Sequence, residues 1–147
     1  MFQGENSISI DDKGRMAIPT AYRELVARSG NRLVVTYNPW ERGCLWLYLH
    51  AEWEQVRDQV NRLPMAKPGH RQLQLKLVGA ATFVDVDGSG RILIPASHRN
   101  TCAIDRKAVL LGMGSKFELW SEPAHQEQMQ KTIPEHEVSE AMLELVL

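Results

Sequence analysis

The sequence predicts an α+β protein made of two tandem β-turn-β-α-β-β half-domains with flanking helices. The first observation is an internal repeat: DDKGRMAIPTAYR at 11–23 aligns without a gap to DGSGRILIPASHR at 87–99. Six pairs are identical, namely Asp11/Asp87, Gly14/Gly90, Arg15/Arg91, Ile18/Ile94, Pro19/Pro95 and Arg23/Arg99. The second is that the flanks repeat as well. An alternating stretch precedes each copy (Ser7-Ile8-Ser9-Ile10; Phe83-Val84-Asp85-Val86), and an apolar run follows each (Leu33-Val34-Val35; Val109-Leu110-Leu111). The third is helical periodicity after each copy. Self-similarity on this scale means that each half repeats one structural plan.

Alternation at Ile8 and Ile10 predicts the first strand. Asp11-Asp12-Lys13-Gly14, and Asp87-Gly88-Ser89-Gly90 in the second copy, predict a tight turn that uses glycine's access to positive φ. The chain then returns through Arg15 to Ile18 as the second strand of a hairpin. Pro19 and Pro95 are expected in the first turn of short helices, where a missing N–H costs nothing. Tyr22, Leu25 and Val26 mark the apolar face of the first, and Gly30 is its expected stop. Strands follow near Arg32–Tyr37 and Cys44–Tyr48, joined by the turn Asn38-Pro39-Trp40-Glu41-Arg42-Gly43; the second copy closes more tightly, through Gly112–Ser115 into Lys116–Trp120. Trp53, Val56, Val60 and Leu63 form an apolar stripe that predicts a helix over Ala51–Leu63. Over 70–81, Leu73, Leu75 and Leu77 alternate as in a strand, while Leu73, Leu77 and Ala80 fit the helix that is favoured here. Pro64, Pro68 and Gly69 mark the linker between halves. His125–Lys131 and Val138–Leu147 are expected to be helical, separated by Pro134.

With 147 residues and 44% hydrophobic content, the chain can bury one substantial core or two small ones that lean on each other. It has no apolar run of membrane-spanning length, and Met1–Ile10 lacks the basic start and apolar stretch of a signal peptide, so a soluble cytoplasmic protein is expected. Cys44 and Cys102 have no CxxC partner and read as free buried thiols. The net charge of −1 argues at first against nucleic acid. It is unevenly spread, however: residues 11–32 carry five basic against three acidic side chains, and residues 87–107 four against two. The segment from Glu122 carries six glutamates against Lys131 alone and masks both basic windows in the total.

Turn chemistry accounts for Asp11, Gly14, Asp87 and Gly90. Arg15 and Arg91 fit either a pair with their own aspartate across the hairpin or, since no turn requires a guanidinium there, a rigid hairpin presenting arginine to phosphate oxygens or the O6 and N7 acceptors of guanine. Ile18, Ile94, Pro19 and Pro95 read as core and helix-start residues. Arg23 and Arg99 fit secondary phosphate contacts or solvated helix positions equally. His50, His70, His98, His125 and His136 show no metal-ligand spacing, and neither a phosphate loop nor a nucleophile elbow occurs, so no enzyme, cofactor, metal or small-molecule substrate is expected.

The doubled D-x-x-x-R (Asp11 to Arg15, Asp87 to Arg91), each followed by Ile-Pro and a helix, and the start Met1-Phe2-Gln3-Gly4 resemble the MraZ family, whose halves are similar to the swapped-hairpin domain of the SpoVT/AbrB class. The resemblance covers nearly the whole chain. It implies half-domains at 5–52 and 81–124, a helical connector at 53–80, a C-terminal helical tail at 125–147, and halves interleaved about a pseudo-two-fold into a swapped-hairpin β-barrel. It further implies a nucleoid-associated transcriptional repressor of the division and cell-wall gene cluster, its own operon included, acting as a ring-shaped homo-oligomer on double-stranded DNA. The implied DNA-contacting positions are Arg15 and Arg91, supported by Asp11 and Asp87, with Lys13, Gly14 and Gly90 completing the hairpin tips. An antitoxin-like regulator of the same hairpin class, gripping a protein partner with its tail, is the alternative.

Overall fold

The computed structural model describes residues 1–147. The first half contributes β1 (Phe2–Ser9), β2 (Arg15–Ala17), α1 (Thr20–Arg28), β3 (Arg32–Tyr37) and β4 (Cys44–Leu49), followed by α2 (His50–Asn61) and α3 (Pro68–Gln74). The second contributes β5 (Thr82–Asp85), β6 (Arg91–Leu93), α4 (Ala96–Thr101), β7 (Lys107–Gly114) and β8 (Phe117–Ser121), followed by α5 (Glu122–Gln130) and α6 (Glu140–Leu143). The repeated plan of strand, turn, strand, helix and two strands is therefore present twice.

The halves exchange strands. The main sheet runs β1-β7-β8-β4-β3-β5, and β2 pairs with β6 in a separate two-stranded ribbon. Each half's first strand thus lies against the third strand of the other: β1 runs antiparallel to β7, from Phe2 opposite Gly114 to Ser9 opposite Lys107, and β5 runs antiparallel to β3, from Arg32 opposite Asp85 to Val35 opposite Thr82. This exchange is the interleaving expected of a swapped-hairpin fold. It also shortens the expected hairpin within each half. The first closes on itself only near its tip, through the bridge Ile10–Met16 and the Asp11 N–H bonded to the Arg15 carbonyl at 3.0 Å, before β2 pairs with β6. The reason is that the apolar side chains of both short strands and of the residues just after them, Met16, Ile18, Ile92 and Ile94, are best buried against one another, in a core that also takes Leu33, Val35, Leu110 and Leu119.

Strands β3 and β4 are apolar at consecutive positions because both faces of the sheet are covered. Leu33, Val35, Leu45 and Leu47 point into the shared core; Val34, Cys44, Trp46 and Tyr48 point the other way, onto Trp53 and Val60 of α2 and onto Leu77. The stripe on α2 is therefore used inside the protomer. The segment expected to be helical over 70–81 is helical as far as Gly79, with α3 continuing as a π turn over Leu75–Gly79. Thr36 stabilises that turn, its hydroxyl donating to the carbonyl of Leu77 at 2.7 Å.

Three local expectations are adjusted. Pro19 and Pro95 stand one position before α1 and α4, with φ of −53° and −56° and extended ψ, because each carbonyl can still accept a helical N–H from that conformation. Leu25 is 39% exposed, so α1 buries only Val26 fully. The helix expected over Val138–Leu147 is reduced to the single turn α6, capped by Ser139. So short a helix without a core to dock on gains little beyond its cap, and Leu143 and Leu145 remain exposed. Cys44 and Cys102 are free and buried. Burial pushes their thiols up, to about 12 and about 11.

Candidate nucleic-acid interface

The two hairpin tips are built alike. Asp11 Oδ1 accepts the backbone N–H of Arg15 at 2.9 Å and that of Lys13 at 3.0 Å, while its Oδ2 accepts Arg15 Nε–H at 2.8 Å. Asp87 Oδ1 accepts the N–H of Arg91 at 3.0 Å and that of Ser89 at 2.9 Å, and its Oδ2 accepts Arg91 Nε–H at 3.2 Å. The Arg15 backbone N–H above all, with the Arg15 side chain and the Lys13 N–H, holds the Asp11 carboxyl below the usual aspartate range; the Arg91 backbone N–H leads the same effect at Asp87. Each arginine is held through Nε, which fixes the guanidinium plane and leaves its outer nitrogens for another acceptor.

The ribbon brings the tips together. Arg15 stands opposite Leu93 and Arg91 opposite Ala17, and Arg91 Nη1 comes within 3.8 Å of Asp11 Oδ2 in the other hairpin. The side chains of Arg15 and Arg91 are 31% and 34% exposed, and the register sets them diagonally on one face of the ribbon, each held by its own aspartate. Lys13 lies on the exposed tip. Gly14 and Gly90 both take positive φ, 90° and 77°, as the turn reading requires.

The structure also shows what charge counting could not. Arg28 pairs with Glu24, Arg32 with Asp85 at 2.8 Å and Arg106 with Asp12 at 3.2 Å, so several cations of the two basic windows serve ion pairs. Arg23 and Arg99 belong to the hairpins. Arg23 Nε donates to the carbonyl of Ile18 at 3.1 Å and Arg99 Nε to that of Ile94 at 3.0 Å, which places each guanidinium over the glycine of the opposite hairpin. Their identity in both copies of the motif was the available signal. Of the histidines, His98 is buried with Nε2 2.7 Å from the Ala80 carbonyl. His125 is buried with Nε2 2.8 Å from Glu5 Oε1, in an orientation that gives no aligned hydrogen bond. No three His, Cys, Asp or Glu side chains stand together where they could hold a metal ion, and no helix is long and apolar enough to cross a membrane.

A family model described as "MraZ protein, putative antitoxin-like" matches residues 1–76 and again 77–146. The chain belongs to the MraZ family. Among proteins of that family it is 60% identical over 148 residues to the "Transcriptional regulator MraZ" of Stenotrophomonas maltophilia (strain R551-3), the match covering 100% of both chains. It is 59% identical, again over 100% of both, to the protein of the same name from Xanthomonas campestris pv. campestris (strain 8004). Against that of Marinobacter nauticus it is 38% identical over 99% of this chain and 98% of the other. The doubled MraZ match coincides with the doubled hairpin motif, one copy in each matched segment.

Proposed function

We propose that this chain is a sequence-specific transcriptional regulator that binds double-stranded DNA through the paired hairpins, with Arg15 and Arg91 as the contacting side chains. Asp11 and Asp87 set the planes of those guanidiniums, Gly14 and Gly90 shape the turns, and Lys13 adds a cation at the first tip. The single observation that supports this most is the pairing itself: two arginines, each fixed through Nε by its own aspartate, on adjacent tips of one ribbon. A guanidinium fixed in plane presents its remaining N–H groups to a phosphate or to guanine with little entropy left to lose. The names of the relatives, transcriptional regulators over their full length, agree with it.

The finer reading is that of a nucleoid-associated cytoplasmic repressor of the division and cell-wall gene cluster, its own operon included, that acts as a ring on repeated promoter sites and needs no cofactor. Two hairpin arginines and a net charge of −1 give one protomer weak, salt-sensitive binding. Several protomers joined in a ring turn such contacts into avidity when the DNA sites repeat at matching spacing. Footprinting of the DNA upstream of the chain's own gene is the test. Protection at repeated short sites, lost when their spacing is changed by half a helical turn, is the expected result; uniform protection without repeats would overturn the sequence-specific reading.

One observation keeps the antitoxin-like alternative in view. The tail after α5 forms only two short helical turns, a 3-10 turn at Glu135–Glu137 and α6, and Leu143, Leu145, Val146 and Leu147 are exposed. An exposed apolar and acidic end suits a protein partner or a neighbouring subunit. Light scattering of Leu143→Asp and Leu145→Asp proteins separates the two. Smaller assemblies assign the tail to self-association, whereas unchanged assemblies leave it to another protein.

A further inference from the structure

Each hairpin is anchored from the other half of the molecule. The strands leading in are paired across halves, β1 with β7 and β5 with β3. At the neck, Ile10 N–H donates to the Arg106 carbonyl at 2.8 Å, and Val86 N–H donates to the Asn31 carbonyl at 2.9 Å. At the tip, the carbonyl of Gly90 accepts the Ile18 N–H at 2.9 Å; in return the carbonyl of Gly14 accepts the Ile94 N–H at 2.9 Å. Arg23 and Arg99 then close the arrangement. Arg23 bonds the carbonyl of the same Ile18 whose N–H holds Gly90, and lies so close above Gly90 that a Cβ there would stand 2.9 Å from its Cζ. Arg99 does the same through Ile94, with a Cβ on Gly14 falling 2.6 Å from its Cζ.

We propose that Arg23 and Arg99 are positioning residues that act across the halves, Arg23 holding the hairpin of Arg91 and Arg99 holding the hairpin of Arg15. The guanidinium is suited to this because Nε can bond a carbonyl while the flat face lies on a glycine Cα, a fit that neither a lysine nor a side chain on the glycine permits. A residue that simply met a phosphate would need only its charge. The two roles therefore predict different responses to lysine. The consequence for recognition, that each DNA-contacting arginine is aimed by the opposite half, rests on the function proposed above; the clasp itself does not.

The experiment measures amide hydrogen exchange by NMR on the full chain without DNA, for Arg23→Lys, Arg23→Met, Arg99→Lys and Arg99→Met. The reporters are Asp11, Gly14 and Arg15 in one hairpin and Asp87, Gly90 and Arg91 in the other, since each of these N–H groups is hydrogen-bonded within its tip. Both Arg23 variants are expected to speed exchange at least tenfold in 87–91 and to leave 11–15 as in wild type, and both Arg99 variants to do the reverse. Loosening of the variant's own hairpin, equal loosening of both, or no change in either would overturn the proposal. If the methionine variants do not fold, the lysine variants decide the matter by the same criterion. DNA binding supplies the second readout: Arg23→Lys should add no further loss to Arg91→Ala and its full loss to Arg15→Ala. Binding restored to wild type by lysine would overturn the positioning role. Arg15→Ala and Arg91→Ala proteins that bind DNA like wild type, beside a crosswise exchange pattern, would instead remove the DNA reading and leave the clasp standing.

Discussion

Asp11 and Asp87 each use both carboxyl oxygens within their own hairpin, one on backbone N–H groups and one on an arginine. Their acidity is raised in the folded state, which sets the sign of the pH response. A carboxyl whose folded pKa is lowered stabilises the fold fully above its ordinary value and loses that contribution as pH falls through the lowered one. The amide resonances of Lys13, Arg15, Ser89 and Arg91 should therefore hold constant from pH 8 to pH 5 and move only below the ordinary aspartate value of 3.8; a transition near pH 6 would contradict this. The two tips differ in detail. The first adds Lys13, has the shorter aspartate–arginine contact, 2.8 Å against 3.2 Å, and buries its glycine. Arg15→Ala should accordingly weaken DNA binding more than Arg91→Ala, and equal losses would count against that ranking. Away from the hairpins, buried Glu118 accepts both indole N–H groups of Trp46 and Trp120, at 2.8 Å and 3.1 Å, and the amide of Asn38 at 3.4 Å. Glu118→Ala strands these donors, and urea denaturation should register a loss of about 3 kcal/mol. A loss below about 1 kcal/mol would mean that water replaces the carboxyl group.

Among the elements, the turn glycines show how tightly the tips are built. Gly14→Ala combines positive φ with a Cβ pressed on Arg99, and should cost about 2 kcal/mol in thermal or urea unfolding. Gly88→Ala meets open space without positive φ and should be neutral or stabilise by about 0.5 kcal/mol. Equal costs at the two positions would contradict the clasp. The same elements mark where sequence reasoning reaches its limit. Glycines, prolines and alternation report on their own few residues, so the turns at Gly14 and Gly90, the strands around them and the helices after Pro19 and Pro95 could be placed from the motif. Which strand lies beside which could not. With two equal copies in one chain, Met16 and Ile18 are equally apolar whether they face their own first strand or Ile92 and Ile94 of the other half, and local pattern carries no term for that choice. Arg23 and Arg99 remained ambiguous for the same reason, because their partners lie in the opposite copy. The tail failed differently: spacing alone suggested a helix over Val138–Leu147, but no core face is there to stabilise more than one turn.

At the scale of the whole molecule, the interleaved sheet brings two copies of one motif into a single ribbon and so turns a repeat in sequence into a pair in space. The net charge of −1 then fits a division of labour, with the acidic residues from Glu122 onward lying outside the motif and fixed arginines at the tips. The proposed function stands on those arginines, and the dependence of DNA affinity on salt tests it most directly. Wild type, Arg15→Ala, Arg91→Ala and the double variant are compared on the promoter fragment from 50 to 300 mM salt. Each arginine that neutralises a phosphate contributes about 0.9 to the slope of log K against log salt. Each single variant should bind more weakly with a shallower slope, and the double variant should lose nearly all affinity for the specific sites. A double variant with the affinity and slope of wild type would show that DNA is gripped by some other surface.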